Sequence, residues 1–335
     1  MTPQYRLALI GFGSVGRALV QLLVERESDL ADMGIHYCLV GLATRRLGCI
    51  TDAEGLDGRA LLDGDLPTQR AEFDSTNAGS WLEECRADVL FELSSLEPFT
   101  GEPATSHVAA ALSRGIHVVT ANKGPLVHAY GRLTSLADAH GVKLRFDAAT
   151  VDSVPVYSTF RETLPLSRVV GFRGILNATT SVILDAMACG MSVDEGVRRA
   201  QALGITETDP GFDIDGFDVA VKLVALANVL MNAELTLDDV TRVGIRDVNL
   251  DGLQPGERVR LVAEIATVDG RVRAAVRPER LLAADPLNLD ATSLALHFDF
   301  APGLLPALTL VGHRLDPPST AYGALCDFIS IARGR

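Results

Sequence analysis

Near the start of the chain, Leu7-Ala8-Leu9-Ile10 runs directly into Gly11-Phe12-Gly13-Ser14-Val15-Gly16, after which apolar residues recur at 15, 18, 19, 22 and 23. A short apolar run, a glycine turn and a 3.6-residue period predict strand, turn and helix over Leu7–Val24. The glycines fit G-x-G-x-x-G, where the first permits a tight turn, the second lets a pyrophosphate approach the backbone and the third lets helix and strand pack closely. The start of the helix adds free N–H groups and a partial positive charge. Gly11, Gly13, Ser14, Val15 and Gly16 are therefore candidates for holding a dinucleotide.

Working outward, apolar runs at Tyr37–Ala43, Val89–Leu93, Ile116–Ala121 and Lys143–Asp147 alternate with helical stretches at Thr105–Ser113 and Leu133–His140. That alternation predicts an α/β fold, an N-terminal Rossmann-type doubly wound parallel sheet. Pro155 and Pro165 interrupt it, so the dinucleotide-binding domain is expected to span 1–150. A second, α+β domain for substrate binding is expected over 151–305, with a strand at 168–176, helices at Thr180–Cys189, Val193–Ala202 and Phe217–Met231, and antiparallel strands at Arg258–Val268 and Leu294–Phe300. The last segment, about 306–335 and helical over Thr320–Ala332, is a candidate to pack back on the first domain, which its sequence position alone does not decide.

The 335 residues suit two domains, and 47% hydrophobic with 22% charged residues is ordinary globular composition. A net charge of −13 disfavours nucleic acid and anionic lipid as partners. No apolar run approaches the ~20 residues that cross a bilayer, and the cytoplasm is the expected location. The five cysteines form no Cys-x-x-Cys pair and the seven histidines no metal-binding spacing, so no metal is expected. A small molecule is the expected partner.

A second strand that ends in Asp or Glu binds a ribose 2′-hydroxyl, whereas here Gly41-Leu42-Ala43-Thr44 is followed by Arg45-Arg46. The arginines suit a 2′-phosphate and predict NADP(H) in preference to NAD(H). Ser94, just past the run Val89–Leu93, joins the cofactor-side candidates. Lys123 follows the Ile116–Ala121 strand at its carboxyl end, where open α/β sheets bind ligands. Asp218 and Lys222 stand four apart, hence on one face, and are the only charges between Phe217 and Met231. A buried ion pair is costly unless function retains it. Of the acids ahead of this helix, Asp215 and Asp213 suit capping, while Glu207 is too early to cap it and is free to meet a ligand ammonium.

Three segments together carry a resemblance: Val118-Val119-Thr120-Ala121-Asn122-Lys123-Gly124-Pro125-Leu126, Gly174-Ile175-Leu176-Asn177-Ala178-Thr179-Thr180-Ser181, and Glu207-Thr208-Asp209-Pro210 leading to Asp213-Ile214-Asp215-Gly216-Phe217-Asp218-Val219-Ala220-Val221-Lys222. In that order they resemble the homoserine dehydrogenase family, in the short form without a C-terminal ACT domain. The resemblance implies interconversion of L-homoserine and L-aspartate 4-semialdehyde with NAD(P), in threonine and methionine biosynthesis, by a homodimer. It also implies that Glu207 and Asp213 bind the substrate amino group with Thr179 and Ala178 alongside. Asp218 would orient Lys222, and Lys123 and Lys222 would serve the reacting oxygen.

The chain departs from the family pattern at Ala178 (generally Gly), at Ile205 (usually Tyr), at Asp152-Ser153 in a loop usually richer in glycine, and at Gly312-His313-Arg314-Leu315-Asp316 in place of a glycine-rich loop. Two other readings stand beside the first: a sister dehydrogenase for another small hydroxy amino acid or aldehyde, and a non-catalytic NADP-binding protein.

Overall fold

Strand β1 (Gln4–Ile10) buries Leu7, Ala8, Leu9 and Ile10 in succession, as a strand covered on both faces must. The computed structural model describes residues 4–67, 71–205, 210–268, 271–303, 305–314 and 316–334. Two compact units divide the chain, one of Met1–Pro155 with Pro317–Arg335 and the other of Val156–Asp316.

In the first unit β1 is joined by β2 (His36–Thr44), β3 (Gly48–Thr51), β4 (Val89–Glu92), β5 (His117–Thr120) and β6 (Leu144–Arg145), in the order β3-β2-β1-β4-β5-β6. All neighbours are parallel except β2 and β3, which form an antiparallel hairpin. The order reverses direction between β1 and β4, the switch point outside which open α/β sheets bind ligands. The fold is therefore α/β with a Rossmann-type sheet, as the alternation predicts. β3 was not anticipated because four residues, Gly-Cys-Ile-Thr, are too few to show a period. The short helices Glu27–Asp32, Gly58–Asp63 and Ala78–Cys85 were missed for the same reason.

The helix Pro317–Ala332 closes the first unit. Ala321, Ala324, Leu325, Phe328 and Ile331 recur at helical spacing and join Leu7, Leu9, Leu19 and Phe91 in one core. Phe328 is fully buried, meeting Tyr5 and Phe91 edge-on at 5.5 and 5.9 Å between ring centroids. Truncating such a side chain costs about 3–5 kcal/mol. Asp327 also accepts the main-chain N–H of Asp147 at 2.8 Å. Two family departures acquire a structural account here. Asp152 takes the left-handed conformation (φ 51°) that favours glycine, and its carboxylate accepts the Thr320 hydroxyl at 2.6 Å. Gly312 and His313 lie within a strand.

That strand belongs to the second unit, whose sheet comprises β7 (Val169–Ile175), β8 (Val240–Arg242), β9 (Arg258–Val268), β10 (Arg271–Leu281), β11 (Ser293–Phe300) and β12 (Ala307–His313) in the order β12-β11-β7-β9-β10-β8. Because β12 pairs with β11, the segment that rejoins the first unit starts at Pro317 rather than near 306. Every pairing in this sheet is antiparallel except that of β8 with β10. β10 escaped the sequence reading because its charges mask its alternation: Ala274 and Val276 are buried, whereas Arg273 and Arg277 are exposed. The longer helices of the unit are Ala178–Ala188, Val193–Ala202 and Phe217–Met231.

Candidate functional site

In the first unit, the glycine turn follows β1 and Gly13 precedes the helix Ser14–Glu25. Gly11 has φ 106°, and a Cβ there would collide with the Leu93 carbonyl at the end of β4. A Cβ on Gly16 would collide with the Gly11 carbonyl, so the helix packs tightly on the turn. Gly13 differs, because a Cβ there would meet no atom within 4 Å. The first intrahelical bond runs from Arg17 N to Gly13 O at 2.9 Å, and no side chain caps the helix or places an acid in its first turn. The space over Gly13 is thus open at a helix start that no side chain caps, and such an end, with its unmatched N–H groups, fits a pyrophosphate.

The end of β2 lies beside this turn, with Gly11 N donating to Ala43 O at 2.8 Å. Thr44 Oγ1 accepts Leu47 N at 2.9 Å and tightens the β2–β3 hairpin, whose tip carries exposed Arg45 and Arg46. No acidic residue ends β2.

Glu92, fully buried at the end of β4, organises the neighbouring loops. Its carboxylate accepts Ser94 N at 3.3 Å and the Ser94 hydroxyl in a very short bond, and it lies 3.4 Å from His107 Nδ1 and 3.3 Å from Thr120 Oγ1. Thr120 Oγ1 accepts Asn122 N at 3.0 Å. The Asn122 side chain in turn donates to Ser94 O at 3.1 Å and accepts Gly124 N at 2.9 Å. Lys123 therefore sits on a turn held from both sides, half-buried at the start of the helix Gly124–His128. The Ser94 hydroxyl points at Glu92, so its carbonyl and backbone shape the loop. Glu92 was legible as the one acid in the apolar run Val89–Leu93, a signal the sequence reading passed over.

In the second unit, Asp218 and Lys222 lie on the helix Phe217–Met231, whose other residues from Val219 to Ala227 are buried and apolar. Their side chains pair at 2.9 Å and are 21% and 13% exposed. Lys222 Nζ also donates to Leu176 O at 2.7 Å. Asn177 precedes the helix Ala178–Ala188 and caps it, its Oδ1 accepting Thr180 N at 2.9 Å. The Asn177 Nδ2 donates to Asp213 at 2.7 Å and to Asp218 at 3.1 Å. Asp213, Asp218 and Lys222 are thus gathered around the end of β7.

The capping expectation for Asp215 and Asp213 is corrected. Gly216, in the left-handed conformation with φ 73°, precedes the long helix and no side chain caps it. Asp215 instead pairs with Arg246 at 2.8 Å. Thr179 is buried and donates its hydroxyl to Ile205 O at 2.9 Å, and Ala178 opens its helix half-buried. Glu207 lies outside the described residues, as does Asp209.

Known proteins match both units. The family model for the homoserine dehydrogenase NAD-binding domain matches residues 11–147, and that for homoserine dehydrogenase matches residues 155–329. An NAD(+)-dependent homoserine dehydrogenase of Pseudomonas canavaninivorans is 36% identical over 341 residues, covering 98% of this chain and 96% of the relative. A homoserine dehydrogenase of Sulfurisphaera tokodaii is 34% identical, covering 98% and 99%. Among solved structures, a hyperthermophilic archaeal homoserine dehydrogenase mutant in complex with NADPH superposes with a TM-score of 0.83 at 27% identity over 99% of each chain. With both family models covering the chain in order, and full-length relatives above 30% identity, the chain belongs to the homoserine dehydrogenase family of NAD(P)-dependent oxidoreductases that act on a CH–OH group.

Proposed function

We propose that this protein interconverts L-homoserine and L-aspartate 4-semialdehyde, with Lys222 as the proton-transfer residue and Asp218 as its orienting partner. The observation that carries this reading is the Lys222–Asp218 pair, held at 2.9 Å on an otherwise apolar buried helix. A bound nicotinamide would supply or take the hydride. Lys222 would give or remove the alcohol proton, Lys123 would serve the same oxygen, and Asp213 with Glu207 would receive the substrate ammonium. Thr179 and Ala178 would border the substrate. Gly11, Gly13, Ser14, Val15 and Gly16 would hold the pyrophosphate, and Ser94 and Lys123 would border the nicotinamide end. Following absorbance of the reduced cofactor with both substrates and a panel of other hydroxy amino acids and aldehydes tests the assignment. Turnover only of a panel member would replace it with a sister dehydrogenase, the alternative that Ala178 and Ile205 favour.

The same reading takes NADP(H) in preference to NAD(H), on the exposed Arg45-Arg46 tip and the absence of an acid at the end of β2. It assigns substrate binding and dimerisation to the second unit, which exposes Val243, Val272 and Leu282. Light scattering tests the homodimer, and a mass near 35.7 kDa at micromolar concentration would exclude it.

A further inference from the structure

We infer that Asn177 is a positioning residue for the Asp218–Lys222 pair, acting through both carboxylates that flank it. This inference rests on the function proposed above and deepens it.

An i,i+4 ion pair on a helix is by itself loosely held, since both side chains rotate at little cost. Here one dipeptide removes that freedom at both ends. The Leu176 carbonyl accepts from Lys222 Nζ at 2.7 Å, and the neighbouring Asn177 amide donates to Asp218 at 3.1 Å. The dipeptide is itself anchored: Asn177 O accepts the hydroxyls of Thr180 and Ser181 at 3.1 and 3.3 Å, and Asn177 is 7% exposed.

The orientation of the Asn177 amide follows from its partners. Its oxygen meets the Thr180 N–H, and its nitrogen meets two carboxylates. A flipped amide would set its oxygen against both carboxylates and its NH₂ against an N–H. Capping alone needs only an acceptor, which Ser, Thr or Asp supplies equally well. Only Asn among the good capping residues also carries two donors, and here one goes to Asp213 and one to Asp218. A single side chain thereby spaces the acid proposed for the substrate ammonium from the acid that orients the lysine.

Asn177→Ser and Asn177→Asp in the full-length protein separate this role from capping, because both keep a cap acceptor. Both variants are expected to melt within a few degrees of wild type. For Asn177→Ser, kcat should fall by about tenfold or more, the loss of an interaction made in the transition state, and KM for the amino substrate should rise with it as Asp213 loses its bond. For Asn177→Asp, the added carboxylate beside Asp218 and Asp213 should move the Lys222 ionisation to higher pH. Lysine side-chain NMR reports this without turnover, with the resonance identified by its loss in Lys222→Ala. Wild-type kcat in Asn177→Ser, a change confined to KM, an unmoved Lys222 titration in Asn177→Asp, or failure of both variants to fold would each overturn the inference. If wild type turns over neither proposed substrate, the function fails separately, and the NMR titration still decides the role of Asn177.

Discussion

The Lys222 ammonium donates to the main-chain carbonyl of Leu176 at 2.7 Å, between residues 46 positions apart, and so ties the long helix to the end of β7. That bond occupies one ammonium proton and Asp218 takes another, which aims the group while leaving it only 13% exposed.

Replacing Lys222 with Ala should therefore lower kcat by ~10²-fold or more, the usual scale of general acid–base help. Asp218 keeps its bond from Asn177, so the fold and cofactor binding should persist. A thermal melt and a fluorescence titration with NADPH check this, and loss of either would make Lys222 a structural residue.

The glycine turn yields opposite outcomes at two neighbouring positions. Gly11→Ala combines a positive φ with a collision at Leu93 O and should destabilise the first unit by at least about 2 kcal/mol. Gly13→Ala meets only open space, so its melting should stay close to wild type while the Kd for the dinucleotide rises at least about tenfold. Denaturant unfolding and cofactor titration of both variants test the contrast.

If NADP(H) is preferred as proposed, removing Arg45 and Arg46 together should narrow that preference, because an arginine holds a phosphate dianion through charge-assisted hydrogen bonds. The ratio of kcat/KM values for NADP and NAD before and after the change is the measurement. An unchanged ratio would show that the exposed hairpin tip does not reach the cofactor.

His117 offers a test of stability against pH. Burial lowers its pKa from the ordinary value, with the nearby positive charges of Lys143 and Arg145 adding to the effect and Asp88 opposing it. Its Nδ1 also accepts the Lys143 N–H at 3.0 Å, which requires an unprotonated nitrogen. With the folded pKa below the unfolded one, the unfolded chain binds the proton more readily, so stability falls as pH drops below about 6.5. His117→Asn keeps an acceptor without the titration and should flatten that part of the profile, as read by denaturant midpoints between pH 7 and 5.

Glu207 tests the amino group of the substrate. Glu207→Gln keeps shape and removes charge, and a hydrogen bond to a charged group contributes about 1.5–3 kcal/mol, so kcat/KM for an amino substrate should drop roughly 10- to 150-fold. An aldehyde lacking the amino group should be nearly indifferent. Equal losses with both would remove Glu207 from ammonium recognition.

Where the chemistry is local, the amino-acid order was sufficient. Gly11-Phe12-Gly13-Ser14-Val15-Gly16 follows an apolar run and precedes a 3.6-residue period, so strand, turn and helix were determined within a stretch shorter than 20 residues. The four-residue spacing of Asp218 and Lys222 likewise sets them on one face through helix geometry alone. Asn177 shows the limit. Its place before a helix marks a cap, but its two donated bonds reach residues 36 and 41 positions away, and no local period encodes that distance. β10 and β12 needed their partners for a related reason, since a strand's hydrogen bonds go to another strand and its own sequence need show only a weak alternation. What the sequence determined by itself was each helix and glycine turn whose bonds close within a few residues. Only the tertiary structure decided that Glu92 ties Ser94 to Thr120, that Leu176 and Asn177 grip Lys222 and Asp218, and that the last helix completes the first core, because each depends on groups brought together across the chain by packing.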